Sequence, residues 1–241
     1  YIIIQLTFNT EYCKSQWEQC NGIFGVRIFD IAISGNTIFA GTDDGIWQSN
    51  NNGEHWSQTG LSSSYAVYCV AASNNVIFAG AHEGLYYSIN NGNNWITAGL
   101  SYPIFSVEVN GSNVFAGCGN NNGIWLSTNN GQNWTQTGLN NISIRSLAIS
   151  GNNIFAGTGS SSGVYFSTNN GTTWTQTALN NTSVSSLAVN GNNIFAGTFN
   201  NGVYISTNNG QTWTQTALNN KDVRSLAVSG NNVFAGTNVS G

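Results

Sequence analysis

The chain has 241 residues and a formal net charge of −4 at pH 7; only 6% of the residues are charged, whereas 40 are Asn. Because so few cations are present, the composition excludes a basic surface for nucleic acid or for an anionic membrane. The longest apolar run, residues 1–6, is too short to cross a bilayer, so we expect no membrane insertion.

The first predicted elements lie in residues 1–20. Apolar residues alternate along residues 2–8, which is typical of a strand. A second strand is predicted around Trp17, because this residue keeps the spacing of the later tryptophans. Cys13 and Cys20 flank this second strand, so a local disulfide between them would fix the hairpin.

A repeat of about 40 residues occupies the rest of the chain. Phe-Ala-Gly occurs six times, at spacings of 39, 37, 40, 40 and 39 residues. A period near 40 without a helical pattern predicts a repeated β unit. The triplets begin at Phe39, Phe78, Phe115, Phe155, Phe195 and Phe234.

Residues 184–218 show the parts of one repeat. The segments VSSLAVN, IFAGT, GVYIST and TWTQTAL are each predicted to be a strand, because β-branched and aromatic runs are bounded by Asn-Gly turns. Four short antiparallel strands per unit, repeated radially, describe the blade of a β-propeller. An all-β solenoid is the structural alternative, although its coils are usually shorter.

We therefore predict an all-β fold, a six-bladed β-propeller of four-stranded antiparallel blades that forms a single domain over residues 1–241. Residues 219–241 supply the first half of blade six, and residues 1–20 supply its closing strands. The N-terminal strands then pair with the C-terminal strands, either within one molecule (in cis) or between molecules (in trans). Blades one to five span residues 21–61, 62–100, 101–139, 140–179 and 180–218.

Five blades carry an octet of the form Ser-x-Asn-x-Gly-x-x-Trp. The Asn side chain can fold back onto the backbone as an Asx-turn, the Gly supplies a positive φ, and the Trp ring lies across the hairpin. The octet residues are Ser49, Asn51, Gly53, Trp56, Ser88, Asn90, Gly92, Trp95, Ser127, Asn129, Gly131, Trp134, Ser167, Asn169, Gly171, Trp174, Ser206, Asn208, Gly210 and Trp213.

The octet resembles the Asp-box (bacterial neuraminidase) repeat, Ser-x-Asp-x-Gly-x-x-Trp, of sialidases and other secreted propellers. It departs from that repeat at the third position, which is Asn every time. The resemblance implies that the octet is scaffold and lies on the face opposite the usual ligand pocket. The loops between strands two and three, and those between blades, would then form the binding face.

The loop between strands two and three varies from blade to blade, and variable loops on a regular scaffold are where binding residues usually lie. Asp43, Asp44, His82 and Glu83 gather in the first two of these loops. Two interpretations stay open. The residues form a site for a polar glycan or a cation, or exposed turns simply favour Asp and Glu.

The second residue of each first strand is predicted to ring the channel mouth. Aromatic rings beside arginines could stack on a sugar ring and hydrogen-bond it; alternatively, the aromatics fill the space where blades converge. In blade order this position holds Phe29, Tyr68, Phe105, Arg145, Ser185 and Arg224, and we take all but the serine as candidate ligand-binding residues.

The two remaining cysteines are Cys69, on the first strand of blade two, and Cys118, after the second strand of blade three. Both are predicted toward one face of adjacent blades, so an inter-blade disulfide is a further expectation. Metal binding is the weaker interpretation, because there is no Cys-x-x-Cys spacing and only two His are present. We expect neither a metal nor a cofactor.

The resemblance raises sialidase activity as an enzymatic alternative. That family uses three arginines for the substrate carboxylate, a Tyr–Glu nucleophile pair and an Asp acid. The three arginines here include Arg27, which lies two residues before its blade's channel-mouth position. No Tyr–Glu pair can be assigned, and nucleophilic attack needs a carboxylate near a Tyr in this family, so we expect no enzymatic activity.

Composition also bears on location and partners. Met is absent, including an initiator, which fits a processed, secreted chain, and four cysteines suit an oxidising compartment. A surface nearly free of Lys and Glu has little protection against edge pairing. We expect an extracellular or cell-surface structural or adhesive module that associates with copies of itself, as in a surface fibre, or with other extracellular partners. A lectin-like, glycan-binding module is the main alternative.

Overall fold

The computed structural model describes residue 23 and residues 25–61, 66–73 and 75–238. These residues form 22 β-strands, and no helix among them is long and apolar enough to cross a membrane. The chain divides into two compact units, residues 1–101 and 102–241. The prediction of an all-β fold built from four-stranded antiparallel sheets is confirmed.

The first unit contains two four-stranded sheets, which are blades one and two. In each sheet the strands are hydrogen-bonded in chain order, and the first strands of the two blades lie side by side. Blade one comprises β1 (Ile28–Ser34), β2 (Thr37–Thr42), β3 (Gly45–Ser49) and β4 (Ser57–Gln58). Blade two comprises β5 (Val67–Ser73), β6 (Val76–Ala81), β7 (Leu85–Ser88) and β8 (Ile96–Thr97).

The second unit contains three four-stranded sheets and one two-stranded sheet. Blade three comprises β9 (Ile104–Asn110), β10 (Asn113–Cys118), β11 (Ile124–Ser127) and β12 (Thr135–Gln136). Blade four comprises β13 (Ile144–Ser150), β14 (Asn153–Thr158), β15 (Val164–Ser167) and β16 (Thr175–Gln176). Blade five comprises β17 (Val184–Asn190), β18 (Asn193–Thr198), β19 (Gly202–Ser206) and β20 (Thr214–Gln215).

The two-stranded sheet is formed by β21 (Val223–Ser229) and β22 (Asn232–Thr237), which are the predicted first half of blade six. The first strands of the second unit lie side by side in the order β9, β13, β17 and β21. The closing strands predicted in residues 1–20, with Trp17 and the disulfide between Cys13 and Cys20, lie outside the described residues.

The fourth strand of each blade is shorter than the sequence predicts. In blade five it spans two residues and begins after Trp213, rather than running through seven residues. The reason is an irregularity in the ladder: the Thr216 N–H donates to the Val203 carbonyl, and the Val203 N–H donates to the Leu218 carbonyl, both at 2.9 Å. The extra residue between these two bonds ends the regular pairing.

The octets form the turn that leads from the third strand to the fourth. In blade three the buried Ser127 hydroxyl accepts the Gly131 N–H and donates to Asn129 Oδ1, both at 2.9 Å. Asn129 Oδ1 also accepts the N–H of residue 133 at 2.9 Å, which closes the predicted Asx-turn. The same three bonds recur in the other four octets.

The octet backbone needs two left-handed residues, of which the sequence predicts only one. Gly131 has a φ of 82°, as expected, but the preceding Asn130 also has a positive φ, of 55°. The fourth octet residue is Asn in every blade, with φ between 53° and 58°. Asn tolerates this conformation better than most residues with a Cβ atom, which explains why the turns read Asn-Asn-Gly.

The Phe-Ala-Gly triplets build the core between neighbouring blades. Phe155 of blade four is fully buried in a cluster with Val184, Leu187 and Ile194 of blade five. A Cβ atom on Gly157 would lie 2.7 Å from the side chain of Val184. Glycine therefore follows Phe-Ala because the first strand of the next blade packs directly on its backbone.

The expected disulfide between Cys69 and Cys118 does not form. Cys118 is a free thiol, fully buried at the end of β10. Its Sγ lies 3.7 Å from the carbonyl oxygen of Ala116 in the same strand, as a weak donor. Its thiol is thus directed at its own strand, and Cys118 acts as a small apolar core residue.

Candidate binding surface

The first strand of every blade contains a β-bulge, which the sequence analysis did not predict. In blade four, Ile144 pairs with Thr158 and Ser146 pairs with Gly157, so Arg145 between them has no partner in the ladder. A bulge re-aims the side chain of its extra residue. The bulged residues are those predicted for the channel mouth, Phe29, Tyr68, Phe105, Arg145, Ser185 and Arg224.

The bulges of the first unit bring three predicted site residues together. The Phe29 and Tyr68 rings meet edge to face with centroids 5.4 Å apart. The Tyr68 hydroxyl lies 3.3 Å from His82 Nδ1, which can donate or accept depending on its tautomer. The Arg27 guanidinium carbon is 5.9 Å from the centroid of the Phe29 ring. Two aromatic rings, an imidazole and a guanidinium therefore share one patch.

The acidic residues of the first two loops do not form a metal centre. Asp43 Oδ1 accepts the backbone N–H of Arg27 at 2.8 Å, and the Asp43 N–H donates back to the Arg27 carbonyl at 3.1 Å. Asp43 thus fixes the chain entering β1, which supports the structural interpretation of this residue. Asp44 is half-buried, and Glu83 is exposed. Across the described residues no group of three or more His, Cys, Asp or Glu could hold a metal ion.

The second unit places a guanidinium on an aromatic ring. The Arg145 guanidinium carbon lies 4.3 Å from the centroid of the Phe105 ring, which is close for a cation–π contact. A Cβ atom on Gly119 would collide with the Phe105 ring, and one on Gly159 would lie 3.0 Å from the Arg145 side chain. Arg145 is exposed, and among the described residues no carboxylate forms an ion pair with it. The second unit therefore presents an exposed cation on a flat apolar support.

A further cation–aromatic pair joins the predicted residue Arg224 to Phe199, which the sequence analysis missed, as it also missed Asp222. Arg224 forms an ion pair with Asp222, with Nη2 and Oδ2 2.6 Å apart, and its guanidinium carbon lies 5.0 Å from the Phe199 ring centroid. The other Asp222 oxygen, Oδ1, is buried without a hydrogen-bond partner. Phe199 was visible as the one aromatic residue in the variable loops between strands two and three.

Ser185, the bulged residue between the two arginine-bearing strands, directs its hydroxyl at the backbone of the scaffold. Its hydroxyl lies within hydrogen-bond distance of the Gly197 carbonyl and the Val223 carbonyl. Arg145 on β13 and Arg224 on β21 each stack on a different ring, on either side of this serine.

A glutamine of the fourth strand holds the variable loop of its own blade. In blade three the Gln136 side-chain amide donates to the Asn122 carbonyl at 2.9 Å. The equivalent bonds in blades one, four and five run from Gln58 to Asp44, from Gln176 to Ser162 and from Gln215 to Asn201. These loops are therefore tied to the rigid sheet although their sequences differ.

No protein-family model matches the sequence, and no curated protein matches it either. The structure is similar to the extracellular domain of a putative one-component system from B. thetaiotaomicron (TM-score 0.73, 21% identity), over 95% of this chain and 33% of that one. It is similar to YCF48 from Cyanidioschyzon merolae (TM-score 0.71, 18% identity), over 92% of this chain and 82% of that one. It is also similar to an ancestral GH74 enzyme (TM-score 0.71, 23% identity), over 84% of this chain and 33% of that one.

These similarities define the class of protein by its fold alone. The chain has a propeller-type, all-β fold whose repeated unit is a four-stranded antiparallel blade. It spans about a third of the length of the ancestral GH74 enzyme and of the B. thetaiotaomicron domain.

Proposed function

We propose that this chain is a non-enzymatic, extracellular structural or adhesive module, an Asp-box propeller of six blades that associates with copies of itself. The supporting observation is the edge of β22. This strand repeats the sequence Asn-Val-Phe-Ala-Gly of β10, yet among the described residues no third strand pairs with it.

The same edge is occupied in the equivalent blades. In blade three, β10 pairs with β11 from Val114 opposite Ser127 to Gly117 opposite Ile124. The edge of β22 presents the same pattern of backbone donors and acceptors, and an added strand can satisfy them. Residues 1–20 supply that strand in the proposed closure. When the strand comes from another molecule, each protomer is linked to the next.

The composition of this edge favours association. β22 contains no charged residue and no proline, and these are the devices by which exposed edges usually avoid pairing. The extracellular location is supported by the low content of Lys and Glu and by the similarity to an extracellular domain.

The association predicts a particle mass that rises with protein concentration. We expect sedimentation equilibrium to show species heavier than the 25.6 kDa chain, and negative-stain images to show rings or fibres. An excess of a synthetic peptide of residues 1–20 should lower the mass, because it competes for the β22 edge. A scrambled peptide of the same composition is the control. A monomer at every concentration would contradict the proposed function.

A lectin-like role is the second candidate, and the Arg145–Phe105 stack favours it. The exposed guanidinium can donate several hydrogen bonds, and its apolar support excludes water from one side. Sugars present both hydroxyls and an apolar ring face, so the pair matches a glycan that has an acidic or hydroxyl-rich edge.

The lectin role predicts binding on a glycan array that depends on Arg145. We expect Arg145→Ala to weaken binding about tenfold or more, which corresponds to the loss of about 1.4 kcal/mol. Ser185→Ala is the matched control, because this bulged hydroxyl bonds only to carbonyl groups of the scaffold among the contacts described above. Tyr68→Ala tests the patch of the first unit in the same way. Binding that is unchanged in Arg145→Ala and Tyr68→Ala would remove this candidate.

A further inference from the structure

Two sheet faces expose side chains that are buried at equivalent positions elsewhere. Phe234 is 55% exposed, whereas Phe39, Phe78, Phe115 and Phe155 are at most 1% exposed. We define the trailing face as Ser225, Ala227, Phe234 and Gly236 of β21 and β22, all of which are exposed.

The second face belongs to blade one. Ile31 is 43% exposed, whereas its equivalents Leu147 and Leu187 are 2% and 7% exposed. Ile33, two residues further along β1, is 67% exposed. We define the leading face as Ile28, Ile31, Ile33 and Ile38 of β1 and β2.

The internal interfaces show what covers a trailing face. Phe115 of blade three is buried in a cluster with Ile144, Leu147 and Ile154 of blade four. These three residues occupy the positions that Ile28, Ile31 and Ile38 hold in blade one. Phe234 holds the position of Phe115. The leading face of blade one therefore carries the apolar side chains that fit the trailing face.

The glycine of the Phe-Ala-Gly triplet also indicates that the leading face fits the trailing face. On Gly197 of blade five, a Cβ atom would lie 2.7 Å from Val223, the first residue of the next first strand. On Gly236 of the trailing face, the three nearest atoms all belong to Ser225 of its own sheet. The position that Val223 fills on Gly197 is thus taken on Gly236 only by the Ser225 side chain of the same sheet, which has to rotate to admit Ile28 of another blade.

Asp30 allows the leading face to stand exposed. In blade five the Leu187 N–H donates to Ser146 of the preceding blade at 2.9 Å, and the same bond joins Leu226 to Ser186. The equivalent Ile31 N–H donates instead to Oδ1 of Asp30 in its own strand at 2.8 Å. This amide is therefore satisfied without a preceding blade, so the face loses no hydrogen bond while it is open.

We propose that the leading face of one molecule packs on the trailing face of a second copy, as neighbouring blades pack within the chain. This inference rests on the proposed self-association and names the surfaces that carry it. The contact joins two different surfaces, so it is head-to-tail, and repetition gives a closed ring or an open filament. In this assembly blades one and six each pack on a neighbouring molecule rather than on each other, so the ring of blades is closed between molecules, and an added strand at the β22 edge is compatible with it.

The test uses two variants that each block one face. Ile31→Lys places a cation on the leading face, and Phe234→Lys places one on the trailing face, where burial of an unpaired charge opposes association. Ile89→Lys is the matched control, because Ile89 is 64% exposed but lies in the octet of blade two. Analytical ultracentrifugation of the whole chain should show assembly for the wild type and for Ile89→Lys. Each blocked variant alone should associate at least about a hundredfold more weakly.

Mixing the two blocked variants gives the decisive result. The mixture contains one intact leading face and one intact trailing face, so we expect heterodimers and no larger species. Assembly of both single variants at the wild-type level, or a mixture without heterodimer, overturns this inference while self-association stands. A wild type that is monomeric throughout overturns the proposed function as well. If a variant loses its unfolding transition, Ile33→Lys and Ala227→Lys replace the pair.

Discussion

Asp30 shows how one residue can set the behaviour of an interface between blades. Its Oδ2 accepts the Val70 N–H of blade two at 2.8 Å, where blades three, four and five use a serine hydroxyl. Burial raises the pKa of this carboxyl to about 6, although the hydrogen bonds from Val70 and Ile31 act in the opposite direction. In those blades a serine hydroxyl accepts the equivalent hydrogen bond without a buried carboxyl, so the bond itself does not require Asp30.

Asp30→Ser should make the protein more stable at neutral pH. Between pH 4 and 6 the unfolded chain releases the Asp30 proton while the folded chain keeps it, so the stability of the wild type falls as the pH rises through this range. Each unit of pKa corresponds to about 1.4 kcal/mol, so we expect a gain of about 1–3 kcal/mol above pH 7 and little difference near pH 4. Urea unfolding of both proteins from pH 4 to pH 8 measures this difference in the free energy of unfolding. Parallel pH profiles for the two proteins would contradict the assignment.

At the scale of the element, the blade depends on the close approach of its neighbour at the triplet glycine. Gly157→Ala should lower the free energy of unfolding by about 1–3 kcal/mol, because the new methyl group overlaps Val184. Gly138→Ala is the control, since its nearest neighbour would be 3.5 Å away and blades four and five already have Ala there. Denaturant unfolding compares the two, and equal losses would refute the packing argument.

The strands and turns also show which features of the fold could be predicted from the sequence. Period, strand order and the octet turns could all be predicted, because alternation and Asn-Gly turns are local signals that repeat in each blade. The bulge at Arg145 could not, since one extra residue in a ladder leaves no mark in the composition of the strand. The contact of Phe199 with Arg224 joins the loop after β18 to the bulge of β21 in the next blade, and only the packing of the two blades brings the ring and the cation together.

At the scale of the whole molecule, Cys118 reports on global opening. Burial raises the pKa of its thiol to about 12, so almost no reactive thiolate is present at neutral pH. We expect Cys118 to resist alkylation in the native protein and to react at the rate of global unfolding. Mass-spectrometric mapping of the alkylated peptide at increasing urea concentration measures this. Rapid labelling of Cys118 without urea would show that blade three opens separately.

The glutamine that ties the variable loop to its sheet in blades one, three, four and five has a consequence for engineering. The bond from Gln136 uses a backbone carbonyl of the loop, so it is indifferent to the side chains that the loop displays. Residues 120–122 could therefore be exchanged for foreign sequences of equal length, whereas Gly119 has to stay because a Cβ atom there would collide with Phe105. Four blades contain this glutamine bond, so four loops could be replaced independently on a scaffold in which only 6% of the residues are charged.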